Sequence, residues 1–354
     1  MATYYSSLKF LQFQDHLKGL SESRIVTPVH IRVKPTNHCN HHCWYCAYRA
    51  NDLQLGDEMI EKDSIPADRM LAFAHEFVEM GVKAVTFSGG GEPLLYKPLP
   101  EVIDILASGG IKVAALTNGS NLKGRVADAF AKHGTWVRIS LDAWDNESYV
   151  KSRGVKAGDF SRLIENIQNF TSRDTKCVLG VSLIVGQDNH EHIFEICKLL
   201  KNCGVNHIKV SGAVVSNNAA GNNTYHLEIK SSVAEQIAMA QILEDDCFAV
   251  LNHYHDLEDR FEKHYKTCPF LQFITVIGAD QQVYTCQDKA YTQSGRMGSI
   301  INKSFKDFWF SEDNQQLLRT FDPSLQCTHH CVSHAKNLAV HEYLSLDQDH
   351  GYFV

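Results

Sequence analysis

Short apolar runs alternate with amphipathic stretches over the first two-thirds of the chain. The runs at residues 30–33, 84–87, 113–116, 137–140, 178–184 and 207–210 have the length and side-chain character of strands. Between them, apolar residues recur at helical spacing. Met70, Leu71, Ala74, Phe77 and Val78 form one stripe, closed by Gly81. Phe160, Leu163, Ile164, Ile167 and Phe170 form a second, with Asp159 as its predicted N-cap. Ile193, Ile196, Cys197 and Leu200 form a third, closed by Gly204. Strand–helix units in series predict an α/β fold with a parallel sheet, curled into a partial (βα)6 TIM-like barrel. Ligands of such folds sit at the C-terminal ends of the strands, so the residues just after each run are the ones to inspect.

Past residue 211 the pattern changes. Residues 216–224 (SNNAAGNNT) read as a loop or linker, and 231–245 as a helix. Residues 274–277 and 282–285 read as a hairpin around 278–280. The expected organisation is a lead-in at 1–29, a core at 30–212, a linker with helices at 213–267, and a small α+β extension at 268–354.

Composition narrows the function classes. Of 354 residues, 44% are hydrophobic and 21% charged, enough to bury a sizeable core. The formal net charge of −7 argues against nucleic acid or an anionic membrane as partner. Apolar runs stay short of the roughly 18 residues that a membrane helix needs. The first twenty residues lack the pattern of a secretory signal. A cytoplasmic location is therefore expected, and it gives the eleven cysteines meaning. In a reducing compartment they are metal ligands, reactive thiols or small core residues rather than disulfides.

Cys39, Cys43 and Cys46 are spaced C-x3-C-x2-C directly after the first strand run. Three thiolates on one short loop suit an iron–sulfur cluster or zinc. Structural zinc takes a fourth protein ligand, and His38, His41 and His42 lie too close in sequence to the cysteines to complete a tetrahedron easily. A [4Fe–4S] cluster on three cysteines leaves one iron open to a substrate or cosubstrate.

With this spacing, the chain resembles the radical S-adenosylmethionine (radical SAM) superfamily over about residues 32–211. Tyr45 matches the aromatic residue common before the third cysteine, and Gly89, Gly90, Gly91 and Glu92, in SGGGEP after the second run, match the GGEP-type motif. The resemblance implies that these residues, with Asn118, Ser140, Asp142 and Arg153 beyond later strands, bind S-adenosylmethionine, and that 181–186 lies against its adenine. It implies reductive cleavage of that cosubstrate to a 5′-deoxyadenosyl radical, with a flavodoxin or ferredoxin as reductant.

Cys268, Cys286, Cys327 and Cys331 form a second set, each beside a turn or an element end. Four thiolates satisfy a closed [4Fe–4S] site or zinc. The set resembles the Twitch form of the SPASM/Twitch extension, in a layout similar to that of the 2-deoxy-scyllo-inosamine dehydrogenases. That likeness implies an auxiliary [4Fe–4S] cluster and net oxidation of a sugar or aminocyclitol alcohol. A redox-neutral epimerase or isomerase, a peptide-modifying enzyme and a zinc-stabilised binding protein are the alternatives. A small molecule is favoured over a peptide, because only about 30 residues precede the first strand run. His329, His330 and His334 read as surface residues, and Cys177, Cys197, Cys203 and Cys247 as buried inert thiols. Lys34, Lys209 and Ser211, near strand ends, read equally as substrate-facing or structural.

Overall fold

A computed structural model describes residues 5–49, 53, 56–254, 261–347 and 349–353. Its strands are β1 His30–Val33, β2 Ala84–Phe87, β3 Lys112–Thr117, β4 Gly134–Ser140, β5 Val178–Val185, β6 His207–Gly212, β7 Ala249–Asn252, β8 Ile274–Ile277, β9 Gln282–Tyr284 and β10 Arg296–Ser299. They join in one sheet ordered β10-β9-β8-β1-β2-β3-β4-β5-β6-β7. Strands β1 to β7 are parallel neighbours in sequence order, and β10 and β7 are left as edges. The sheet therefore does not close, and the α/β fold is a partial barrel. β7 is an addition to the six strands read from the sequence.

Helices cover one face of this sheet, and the alternation along each strand says which. Ile31, Val33, Val85, Phe87, Val137, Ile139, Ile208 and Val210 are completely buried. They pack in one core with Phe73, Phe77, Ile167 and Leu200, whose helices carry the predicted stripes, and with Phe130 on helix Gly124–His133, which the sequence reading did not single out. The residues between them, such as Arg32, Arg138, Ser140, Ser182 and Lys209, point to the opposite, concave face and stay half-buried. Helix Asp159–Thr171 is capped by Gly158 rather than by Asp159, which sits in the first turn and accepts from the Lys156 N–H.

The C-terminal extension is built into the barrel wall. β8 pairs in parallel with β1, from His30 opposite Ile274 to Val33 opposite Ile277. The predicted hairpin is present as the antiparallel β8–β9 pair. Further along, Phe305 packs edge-on to Phe77, and its N–H donates to Glu76 at 2.6 Å. The buried Trp309 donates its indole N–H to the Val26 carbonyl at 2.8 Å.

Residues 216–224 are not a simple loop, because helix Ala219–Leu227 starts within them. Asn218 caps it by accepting from the Gly221 N–H. The buried Asn222 amide serves the Val215 N–H and the Ser216 carbonyl. Here the Asn residues satisfy a helix start rather than prevent one. The helix expected at 231–245 spans Lys230–Gln241.

Replacing Trp309 tests how firmly the extension is seated. W309A is expected to cost about 3–5 kcal/mol, from the cavity and the orphaned Val26 carbonyl. Urea unfolding of the two proteins at one pH measures it.

Candidate active site

The loop after β1 carries Cys39, Cys43 and Cys46 as free, half-buried thiols. It has turns but no ladder, so strand ends must hold it. Burial pushes the Cys39 thiol up to about 11, and the Cys46 thiol also upward. The loop's own hydrogen bonds and Arg49 pull the other way on both, and Lys34 does so on Cys46. Thiols raised in this way become thiolates readily only when a cation binds them.

The loop after β2 docks directly on this one. The Gly91 N–H donates to the Thr36 carbonyl at 3.2 Å and the Glu92 N–H to the His38 carbonyl at 2.8 Å. A Cβ at Gly91 would strike the backbone of Asn37 and His38. Glycine there permits contact between the chain's own two loops, a role the sequence did not separate from approach to a ligand.

Glu92 is 2% exposed and accepts three hydrogen bonds, from the Thr117 hydroxyl at 2.5 Å, the Asn118 N–H at 2.6 Å and the Leu94 N–H at 2.9 Å. A carboxylate offers about four acceptor positions, so these donors do not exhaust it. Burial nevertheless pushes its carboxyl up to about 7. The Asn118 side chain continues the link by donating to Asn40, inside the cysteine loop, at 2.9 Å.

A second clamp comes from β4. Asp142 and Arg153 form an ion pair at 2.9 Å with side chains 3% and 2% exposed. The Tyr45 hydroxyl donates to the same carboxylate at 3.0 Å, and the guanidinium lies 5.4 Å from the Tyr45 ring centre. Another nitrogen of Arg153 sits 3.4 Å from the Cys43 sulfur. Arg153 ends a helix that starts with a capping box of Asp145 and Ser148, and Gly154 closes it at φ 59°. Any side chain at Gly154 would meet His42. Ser140 ends β4, half-buried on the concave face. Beside it, Asp142, Trp144, Ile184, Gly186, Asn189 and His192 border a cavity of about 420 Å3. Asn40 and Asn189, whose amide donates to the Asp142 and Ile184 carbonyls, were not singled out in the sequence. Their strand-end loops were the available signal.

Cys268, Cys286, Cys327 and Cys331 also come together. Burial pushes each thiol up, and Cys268, Cys286 and Cys331 each feel the charge of others of the set, Cys327 among them. Lys263 and Lys289 face them from the cation side. His329 and His334 are buried, contrary to the surface reading, because helix and loop fold over this corner. Donor atoms of Cys286, Asp288 and His329 lie within 4.8 Å of one another. Of the remaining thiols, Cys177, Cys197 and Cys203 are buried as expected, whereas Cys247 is exposed.

Residues 33–200 match the family model of the radical SAM superfamily. That segment is a domain of the radical SAM superfamily. An S-adenosylmethionine-dependent nucleotide dehydratase of Lacinutrix mariniflava is 33% identical over 117 residues, which cover 32% of this chain and 23% of that protein. A GTP 3′,8-cyclase of Helicobacter pylori is 25% identical over 317 residues, covering 82% of this chain and 95% of that one. Among solved structures, Streptococcus suis SuiB bound to precursor peptide SuiA superposes with a TM-score of 0.63 at 18% identity, over 92% of this chain and 76% of SuiB. That likeness extends the shared fold through the C-terminal extension.

The residues present fit the cofactors of a radical SAM protein. Three free thiols on one loop match a cluster with an open iron, and the docked glycine loop and strand ends form a polar rim beside it. Among the described residues, no helix is long and apolar enough to cross a membrane.

The buried Glu92 makes stability depend on pH. Its proton is held more tightly in the folded chain than in the unfolded one, so its contribution is full below about pH 4.5 and is lost as pH rises to about 7. The loss from this group is about 3 kcal/mol. E92Q should lose less stability than wild type over that range; parallel urea midpoints from pH 4.5 to 7.5 would contradict it.

Proposed function

We propose that the chain is a radical SAM oxidoreductase that removes two electrons from a small-molecule alcohol, of the sugar or aminocyclitol class. The observation that carries this reading is the separation of seven free cysteines into a group of three and a group of four. Cys39, Cys43 and Cys46 would hold the cluster with the open iron, and Cys268, Cys286, Cys327 and Cys331 an auxiliary [4Fe–4S] cluster. When bound, the first cluster with S-adenosylmethionine supplies a hydrogen-abstracting carbon radical and the second an acceptor for one electron. An external flavodoxin or ferredoxin is the expected electron source.

The chain's own residues have defined tasks in this reading. Glu92, Asn118 and Arg153 hold the rim of the cysteine loop. Gly89 to Gly91, Tyr45, Ser140 and Asp142 line the cosubstrate side, and the cavity beside Ile184 and Gly186 supports adenine binding there. The dehydratase and the cyclase act, by name, on nucleotides, which favours a small molecule over a peptide. The cyclase and the dehydratase keep a redox-neutral reaction as the second reading. The grouping of Cys286, Asp288 and His329 favours zinc as the alternative occupant of the C-terminal site.

Iron and acid-labile sulfide per chain after anaerobic reconstitution decide between these. About eight irons, falling to about four in the C39A/C43A/C46A variant, are expected. About four irons falling to near zero would leave the radical core and remove the auxiliary cluster, and with it the oxidase.

A further inference from the structure

The C-terminal cysteine group has an amide aimed at one of its sulfurs. Helix His334–Ser345 starts three residues after Cys331 and packs on the turn that begins at Cys268. In its first turn stands Asn337, which is fully removed from water. Its amide nitrogen donates to the Cys268 sulfur at 3.2 Å. Its carbonyl oxygen accepts from the Phe270 N–H at 3.0 Å. The second contact fixes the first. Were the amide turned over, its NH2 would meet the Phe270 N–H, donor against donor. In the free thiol, the Cys268 sulfur can also donate to the amide oxygen at 3.5 Å. A metal-bound thiolate carries no proton, so only the bond from nitrogen to sulfur survives there.

Packing does not require an amide at this position. Val340 and Tyr343 seat the helix in a small apolar cluster with Phe10 and Phe273. A buried amide is costly unless its polar atoms are used. Asn337 uses one end on the turn and the other on a sulfur of the group. Two ammoniums flank the same group. Lys289 donates to the Gln326 carbonyl at 2.6 Å, beside Cys327, and Lys263 to the His329 carbonyl, between Cys327 and Cys331. The buried Asp288, held by the Val332 N–H at 2.9 Å, is a carboxylate that opposes them.

We propose that Asn337 is a positioning residue of the C-terminal centre, whose N–H on the Cys268 sulfur raises the reduction potential of a [4Fe–4S] cluster held there. A donor on a ligand sulfur withdraws negative charge from it and so favours the reduced cluster, which carries one more electron. The proposal rests on the reading of this group as an auxiliary cluster. It says how the chain makes that cluster an electron acceptor.

The C39A/C43A/C46A protein, reconstituted anaerobically, isolates that cluster for redox titration followed by visible absorption. N337A, N337D and N337Q are compared in this background. Aspartate keeps an oxygen for Phe270 and loses the donor, and N337A controls for the charge it adds. Both N337A and N337D should have a more negative midpoint than their parent. The expected shift is at least about threefold in the reduction equilibrium, or roughly 28 mV at about 59 mV per tenfold for one electron. N337Q keeps the donor and should lie nearer the parent, which separates a lost hydrogen bond from lost packing. Midpoints of N337A and N337D within that margin of the parent would overturn the proposal. So would loss of the cluster or of cooperative urea unfolding in both, because the amide would then serve assembly alone. A parent that takes up no iron, or zinc instead, sinks the auxiliary-cluster reading and this proposal with it. An unmoved midpoint with about four irons per chain sinks the proposal and leaves that reading standing.

Discussion

The ion pair between Asp142 and Arg153 holds together a site that has no ladder of its own. At 2.9 Å and almost wholly removed from water, it is costly to bury and holds only because both partners are further satisfied. Asp142 accepts from Tyr45, and Arg153 reaches Cys43. The backbone of the same helix end finishes the work. The Arg153 carbonyl accepts from the His42 N–H at 2.8 Å and the Ser152 carbonyl from the Trp44 N–H at 3.4 Å. One helix terminus thus anchors the middle of the cysteine loop from both side chain and main chain. Glu92 does the same for its start, through Asn118 and Asn40.

These clamps also occupy the acids beside the strand ends. The chain as a whole is acidic, with a net charge of −7. Yet the acids nearest the strand ends, Glu92 and Asp142, are tied to internal donors, while Arg32, Arg138 and Lys209 face the concave side. Net charge therefore argues about association with large polyanions, and the strand ends have a local balance of charge of their own.

Local order was legible in the sequence, and long-range closure was not. The strands at 30–33 and 84–87 were readable as short apolar runs, and the stripe through Ala74 and Phe77 as a helical period, because each is buried against a neighbouring layer. The C-x3-C-x2-C spacing and SGGGEP were readable because each is one short loop. The pairing of β8 with β1 leaves no local trace, since it joins residues 30–33 to residues 274–277. Nor could the sequence show that Glu92 would meet Thr117 and Asn118, 25 and 26 residues on. His329 reads as polar in the chain and is buried only because its loop folds over the C-terminal cysteines. Asn222 reads as a loop residue and serves as the internal glue of a helix start.

That unreadable pairing is what brings the two cysteine groups into one molecule's interior. Because β8 lies beside β1, the turn that follows Cys286 is presented to the C-terminal end of β1. There Lys34, completely buried, donates to the Tyr48 hydroxyl at 2.9 Å and to the Gly89 carbonyl at 2.7 Å. Tyr48 follows Cys46 by two residues, and its hydroxyl donates to the Gln287 carbonyl at 3.3 Å, one residue past Cys286. Nearby, the Tyr291 hydroxyl donates to Asn37 at 2.6 Å. Burial pulls the Lys34 ammonium well below its usual value, a cost offset by these oxygens, by the charges of Cys46 and Asp288, and by the Tyr48 ring 4.4 Å away. A single side chain on β1 therefore touches the glycine loop directly and both cysteine loops through Tyr48. Any shift of the extension along β1 would break this junction, so the register of one four-residue strand pair sets how the three loops meet.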